Sequence, residues 1–231
     1  MEIFNFPKEW KVDKIVPKEI IYKVADADEK LKRIFIENVE RIRLQYMLNY
    51  KNTNIESYVD SKERYEEINF LKVELKEKGK ENTVSKLLHQ LIPKGTVVIL
   101  GFKNEILISL AKKEITENTL KVEELQNSLW INSDDEYLKE LLYKNFNSTN
   151  LKLFYESIIE KVKIYNLSKN LKIDSNIDTS NIEKLETLNK EIEKLKTLRK
   201  KETQLNKVLE IQTQLIKLKK NKNIILKRET K

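Results

Sequence analysis

Residues 84–100 read Val-Ser-Lys-Leu-Leu-His-Gln-Leu-Ile-Pro-Lys-Gly-Thr-Val-Val-Ile-Leu, and two kinds of secondary structure meet within them. The apolar side chains up to Ile92 recur at helical spacing, and Pro93 ends this pattern because proline cannot continue a helix. Gly95 then opens the largely apolar run 96–100, which is typical of a fully buried strand. The stretch therefore predicts a short amphipathic helix followed directly by a central strand.

Further strands are predicted on both sides of this stretch. Residues 66–76 have extended character, and residues 106–110 alternate behind a turn at residues 101–105, which predicts a hairpin with the central strand. A further strand is expected around residues 120–130. Because a helix connects the strand at residues 66–76 to the central strand, these two can lie parallel. We therefore expect an α+β fold with a small mixed β-sheet and flanking helices, followed by a long C-terminal coiled-coil helix.

Several segments outside the sheet are predicted to be helical. Asp26 or Asp28 is expected to cap a helix whose apolar face is Leu31, Ile34, Phe35, Val39, Ile42 and Tyr46. Two more helices are expected at residues 135–146 and 151–164, the first capped by Ser133 or Asp134. The chain is expected to open irregularly over residues 4–17, and this aromatic-rich opening is expected to pack back on the body.

The excess positive charge of the chain lies in its last fifth. Residues 181–231 contain 13 Lys and 2 Arg against 7 Glu, whereas the rest of the chain is neutral. We therefore divide the chain into an α+β domain (1–132), a helical connector (133–165), a hinge (166–180) and a basic coiled-coil arm (181–231).

The arm has an apolar seam at coiled-coil spacing. The seam consists of Leu185, Leu188, Ile192, Leu195, Leu198, Leu205, Leu209 and Ile216. Glu202 and Gln212 also fall on it, and polar seam residues tend to fix register or partner choice. The seam predicts a homodimer or pairing with a coiled-coil partner protein.

Composition excludes several kinds of active site. The chain has no cysteine and one histidine, His89, which excludes disulfides, thiol nucleophiles, cysteine-rich zinc sites and histidine-based triads. Its three glycines do not form a phosphate-binding loop, and we predict no cofactor and no metal. His89 is expected to pack beside Pro93. We expect a cytoplasmic protein without a membrane contact, because no apolar run approaches the ~18 residues of a membrane span and no signal peptide is evident.

One pattern is compatible with catalysis. Metal-dependent nucleases commonly use an upstream acidic residue and a Glu-x-Lys on a strand, which Asp60, Glu74 and Lys76 match. Strand alternation places Glu74 and Lys76 on one face. The alternative is a solvated sheet edge, since Glu-x-Lys arises often by chance in a chain with 35% charged residues.

The arm has two interpretations as well. Its C-terminal part carries 12 basic and 3 acidic residues from position 196 onward, a stripe suited to nucleic-acid phosphates. The candidate nucleic-acid-binding residues are Lys196, Arg199, Lys200, Lys201, Lys207, Lys217, Lys219 and Lys220. Alternatively, the stripe is the solvated face of a coiled coil or a match for an acidic partner. No aromatic residue lies in the arm to stack on exposed bases, which argues against single-strand recognition.

Separate segments of the chain together resemble a bacterial family of unknown function, domain-of-unknown-function family 4391. These segments are residues 4–7, 15–18, 31–35, 67–76, 87–93 and 200–215. The family has no established activity, and its members look like companions of DNA methyltransferases and helicases in restriction or phage-defence loci. The resemblance implies an accessory role on DNA, with a methyltransferase or helicase subunit as a possible partner.

Three functions are therefore open. The leading hypothesis is a non-enzymatic accessory or assembly subunit of a DNA-acting restriction or phage-defence system. The alternatives are a carboxylate-metal-dependent nuclease and a protein-interaction module that does not contact nucleic acid.

Overall fold

The computed structural model describes residues 3–24, 29–115, 120–171 and 179–229. The predicted helix caps Asp26 and Asp28 lie outside this part of the chain. Two compact units divide the chain, Met1–Val162 and Lys163–Lys231. Among the helices of the described ranges, none has the length and apolarity that crossing a bilayer requires.

Strands and helices alternate irregularly along the chain. The strands are β1 (Lys11–Ile15), β2 (Val39–Asn49), β3 (Tyr58–Val59), β4 (Arg64–Tyr65), β5 (Glu67–Leu75), β6 (Gly95–Phe102), β7 (Glu105–Ile115), β8 (Leu120–Asn127) and β9 (Ile131–Asn132). The helices are α1 (Lys18–Val24), α2 (Glu29–Asn38), α3 (Tyr50–Thr53), α4 (Glu81–Leu91), α5 (Leu151–Leu171), α6 (Thr179–Lys201) and α7 (Leu205–Glu229). Short 3-10 turns lie at Lys8–Trp10, Glu136–Leu141 and Tyr143–Asn145.

The first unit is built on one mixed sheet with the strand order β1-β2-β5-β6-β7-β8, and β9 pairs with β7. Strands β5 and β6 are parallel and are joined by α4, whereas the neighbours on either side are antiparallel. The predicted helical crossover, the β6–β7 hairpin and the mixed α+β architecture are therefore confirmed.

One face of the central strands packs against helices. Val73, Val98 and Leu100 are fully buried there together with Val84 and Leu88 of α4. Burial of such side chains stabilises the fold by about 1.5–3 kcal/mol each. Residues 84–100 thus supply both a helix and the strand against which that helix packs.

The other face of the sheet is covered by aromatic side chains. The ring of Phe70 lies 5.0 Å from that of Phe4 and 4.9 Å from that of Phe6, both edge-on. Phe6 also contacts Tyr46 at 5.0 Å and Phe154 of α5 at 6.4 Å. The aromatic residues of the opening therefore pack on the body, as predicted, whereas Lys11–Ile15, predicted to be irregular, forms β1 and leaves Ile15 exposed.

The helix predicted to run through Tyr46 is wrong beyond Asn38. Val39, Ile42 and Tyr46 belong to β2, where they are buried. Ile42 lies opposite Val73 and belongs to the core with α4, whereas Tyr46 lies opposite Phe70 on the aromatic face, because the register shifts between Leu44 and Tyr46. The helical spacing of Val39, Ile42 and Tyr46 thus conceals a strand with a bulge, and pairing with β5 makes the strand the better solution.

The connector also differs from the prediction at its start. Residues 135–146 form two 3-10 turns instead of an α-helix. Asp135, not Ser133 or Asp134, caps the first, because its side chain accepts a hydrogen bond from the backbone N–H of Tyr137 at 3.0 Å. The second predicted helix is present as α5 and continues to Leu171.

The C-terminal unit holds two long helices in place of one. Helix α6 ends at Lys201 and α7 begins at Leu205, with three non-helical residues between them. The prediction of a single long coiled-coil helix is therefore not confirmed.

Candidate nucleic-acid interface

Helices α6 and α7 form an antiparallel hairpin. The Arg199 guanidinium donates a hydrogen bond to the side-chain oxygen of Gln212 at 2.8 Å. The Lys222 ammonium donates one to the side-chain oxygen of Asn189 at 2.7 Å. Asn189 precedes Arg199 by ten residues on α6, whereas its partner Lys222 follows Gln212 by ten residues on α7. The two helices therefore run in opposite directions.

The apolar seam predicted for the arm is buried only in part on α6, where Leu198 is exposed, and is wrong on α7. On α6, Leu185 and Ile192 are buried, and on α7 Leu215 is buried. The half-buried or buried apolar residues of α7 include Val208, Ile211, Leu215, Leu218 and Ile225, which repeat at heptad spacing, and Leu226. Three predicted seam residues of α7 are instead exposed, namely Leu205, Leu209 and Ile216.

The turn between the helices explains why one helix becomes two. Glu202, which was predicted on the seam, accepts hydrogen bonds from the backbone N–H groups of Thr203 and Gln204 at 3.0 Å each. These hydrogen bonds lower the pKa of the Glu202 carboxyl. A charged side chain therefore satisfies backbone donors that a continuous helix would have paired internally.

All eight predicted nucleic-acid-binding residues are exposed on this hairpin. They are Lys196, Arg199, Lys200, Lys201, Lys207, Lys217, Lys219 and Lys220. Lys196 forms an ion pair with Glu193 at 2.6 Å, and the hydrogen bond lowers the pKa of Glu193. Residues 193–222 contain ten cations and three glutamates, so the hairpin surface is strongly positive.

The cations lie on more than one side of the hairpin. Lys196, Arg199 and Lys200 line a shallow depression with Glu193. Lys217 lines another with Leu195 and Leu198, and Lys219 and Lys220 border a third beside Ile216. The last-turn residues Arg199, Lys200 and Lys201 also offset the partial negative charge at the C-terminus of α6. That structural role does not extend to the lysines in the middle of α7.

The predicted nuclease residues are not brought together. Asp60 lies in the turn between β3 and β4, where it accepts hydrogen bonds from the N–H groups of Lys62 and Glu63 and from the Tyr58 hydroxyl. The backbone hydrogen bonds lower its pKa to about 2. The backbone N–H of Ile115 donates a hydrogen bond to the carbonyl of Lys62. This contact places the turn that contains Asp60 at the end of the sheet where β5 begins.

Glu74 lies at the opposite end of β5. Seven residues separate it from Glu67 at the start of that strand, a span of about 23 Å. Its cross-strand neighbours are Arg41 on β2 and Gly101 on β6, so neither neighbour supplies a second carboxylate. Arg41 at 3.9 Å and Lys72 at 3.5 Å neutralise it.

Lys76 also has a local partner, because its ammonium donates to the carbonyl of Ile36 at 2.7 Å. Within the described residues, no group of three or more Asp, Glu, His or Cys side chains is placed to hold a metal ion. The arrangement of Asp60, Glu74 and Lys76 fits turn formation and sheet-surface ion pairing.

His89 is a buried core residue. Its Nε2 lies 3.1 Å from the Ser109 hydroxyl, and its Nδ1 is buried without a hydrogen-bond partner. Burial, and then the charge of nearby Lys113, lower the pKa of the imidazole to about 3. Sequence reasoning missed Lys113, which is buried and donates to the carbonyl of Lys94 at 2.8 Å. It lies among charged residues in the sequence, and nothing there distinguishes it from its exposed neighbours.

The comparisons with known proteins identify the family of this chain. A family model described as Domain of unknown function (DUF4391) matches residues 4–221. Neither the curated proteins nor the solved structures contain a match. The matched range includes the sheet, α4 and most of the basic hairpin.

Proposed function

We propose that this chain, which belongs to the family described as Domain of unknown function (DUF4391), is a non-enzymatic accessory subunit that binds nucleic acid through its helical hairpin. In this proposal the α+β body docks a larger DNA-acting protein. A methyltransferase or helicase subunit of a restriction or phage-defence system is the proposed partner, on the strength of the resemblance described above.

The observation that carries the proposal is the closed seam of the hairpin. Because α6 and α7 pair through Arg199–Gln212 and Lys222–Asn189, with Ile192 and Leu215 buried, the hairpin is a preformed unit with cations on its surface. Lysine and arginine neutralise phosphates and release the counterions condensed on the duplex, a sequence-independent source of affinity. The hairpin therefore suits the nucleic-acid backbone more than base edges.

The closed seam also weakens the case for self-pairing. Two of the α6 residues that predicted a homodimer, Leu185 and Ile192, are buried within the chain. We accordingly place the docking partner outside the seam. The nuclease alternative receives no support, since Asp60 and Glu74 lie at opposite ends of β5.

The test is DNA binding by the full chain with matched charge changes. One variant replaces Lys200, Lys207, Lys217 and Lys220 by Gln, and a control replaces the exposed body lysines Lys14, Lys80, Lys86 and Lys144 by Gln. Both lose the same formal charge. Fluorescence anisotropy with a labelled duplex is expected to show at least about tenfold weaker binding for the hairpin variant than for the control.

Equal weakening in both variants would mean that net charge alone attracts DNA, and the proposal would fail. An unmodified chain that does not bind the duplex at all would favour the protein-interaction module without nucleic-acid contact. Circular dichroism of each variant reports whether its helices remain folded.

A further inference from the structure

A line of exposed apolar side chains follows one side of α7. Leu205, Leu209 and Ile216 are 72%, 57% and 59% exposed, and we call these three residues the apolar stripe. Their spacing of four and seven residues places them on one side of the helix. The stripe is about 16 Å long at 1.5 Å per residue, which is the length of three helical turns.

The stripe is separate from the seam that closes the hairpin. The seam of α7 runs through Ile211, Leu215 and Leu218, and Leu215 is 3% exposed. Ile216 is the next residue after Leu215, about 100° further around the helix. Single exposed leucines are ordinary on protein surfaces, but apolar residues in line on one helix face are typical of a surface that another molecule covers.

Polar and charged groups define the chemistry around the stripe. Gln212 stands between Leu209 and Ile216 at the same helical spacing, and its side chain accepts the hydrogen bond from Arg199 at 2.8 Å. The Arg199 guanidinium therefore lies beside the stripe, at the level between Leu209 and Ile216. Lys219 and Lys220 border its C-terminal end beside Ile216.

This combination identifies the occupant. Phosphates cannot cover leucine and isoleucine side chains favourably, so nucleic acid alone does not explain the stripe. A second copy of the hairpin would bring two sets of lysines and arginines together, which costs free energy. A helix with apolar residues on one face and glutamates or aspartates beside them complements both the stripe and the cations.

We infer that the apolar stripe of α7 is a docking surface for an acidic amphipathic helix of a partner protein. The partner helix lies along α7, places its leucine-type residues against Leu209 and Ile216, and directs a carboxylate towards Arg199. This is the helix-on-groove mode of recognition, in which anchors recur every three or four residues. The inference stands independently of DNA binding by the hairpin.

The experiment measures binding of a labelled model peptide to the full chain. The probe is an acidic peptide of about three heptads with Leu at the first and fourth positions and Glu beside them. Leu209→Gln and Ile216→Gln remove an anchor without changing charge. Leu198→Gln is the matched control, because Leu198 is 46% exposed and lies in the depression lined by Leu195 and Lys217, outside the stripe.

We expect saturable binding that weakens about tenfold in each stripe variant and stays unchanged in Leu198→Gln. DNA binding is expected to stay unchanged in all three variants, since their charge is that of the natural chain. Equal effects of the three substitutions, or equal binding of a peptide with Lys in place of Glu, overturn the inference. So does a self-association that Leu209→Gln abolishes, because the occupant is then a second copy. Weaker DNA binding in the stripe variants assigns the stripe to nucleic acid and also overturns it.

Discussion

The Arg199 guanidinium on α6 lies 2.8 Å from the side-chain oxygen of Gln212 on α7. This pair defines the register of the two helices, because Arg199 and Gln212, 13 residues apart in sequence, lie beside each other in the hairpin. It also places a cation beside the apolar stripe. A single hydrogen bond thus connects the fold of the C-terminal unit with the two surfaces that we propose for binding.

The hairpin predicts a short distance between positions that are far apart in sequence. The chain has no cysteine, so Lys190→Cys and Asn223→Cys allow spin labels at two exposed positions of α6 and α7. We expect a separation below about 30 Å, because packed helix axes lie about 8–10 Å apart and the labels add the rest. A continuous helix over the same residues would separate them by about 50 Å. Electron spin resonance distance measurement distinguishes the two.

We expect removal of the buried Tyr155 hydroxyl to reduce the stability of the fold. The hydroxyl accepts a hydrogen bond from the backbone N–H of Ala111 at 2.9 Å and lies 2.8 Å from the carbonyl of Thr96. Tyr155→Phe leaves these backbone groups without their partner in the core, and we expect a decrease of about 1–3 kcal/mol in the free energy of unfolding.

Tyr58→Phe is the matched control for this measurement, since the Tyr58 hydroxyl forms its hydrogen bond with Asp60 at the surface. Urea denaturation should show a change of less than about 0.5 kcal/mol for it. Equal midpoints for the two variants would contradict the role assigned to Tyr155.

We expect the His89 imidazole not to titrate near the ordinary histidine pKa. Burial and then Lys113 lower its folded pKa to about 3 from 6.5. The unfolded chain therefore binds more protons between these values, and stability is lost as the pH falls from about 6.5 towards 3. The chain has one histidine, so its ring signals are unambiguous in NMR. They should stay constant between about pH 5 and 8, whereas a midpoint near 6.5 would show an exposed ring.

We expect Glu74 to make no catalytic contribution. Its carboxylate is neutralised by Arg41 and Lys72, and Glu74→Ala should cost about 0–1 kcal/mol of stability, as expected for a partly exposed ion pair. Plasmid DNA incubated with Mg²⁺ or Mn²⁺ should remain intact with either protein. Metal-dependent nicking by the natural chain that disappears in Glu74→Ala would restore the nuclease hypothesis.

Local patterns predicted the centre of the sheet well. Pro93 and Gly95 separate a helical period from a buried run, and this boundary, the parallel β5–β6 pair and the β6–β7 hairpin are all present. Such features depend on residues close in sequence. The strand β2 was missed because Val39, Ile42 and Tyr46 have helical spacing, whereas in the sheet a register shift before Tyr46 places Ile42 and Tyr46 on opposite faces.

The hairpin was missed for a related reason. Heptad spacing indicates that an apolar face is buried but does not indicate whether the partner helix is the same chain. Nor did the pattern indicate that α7 carries two apolar faces, with Leu215 buried and Ile216 exposed. The eight basic residues could be named from charge alone, whereas their arrangement around two antiparallel helices required the structure.

The salt dependence of duplex binding tests the central claim most directly. The logarithm of the binding constant falls with the logarithm of salt concentration by about 0.9 for each phosphate neutralised. If the hairpin supplies these contacts, replacing Lys200, Lys207, Lys217 and Lys220 by Gln reduces the slope by up to about 3–4, while the matched body variant retains the slope of the natural chain. Identical slopes for the hairpin and body variants would contradict the assignment of the hairpin as the nucleic-acid interface.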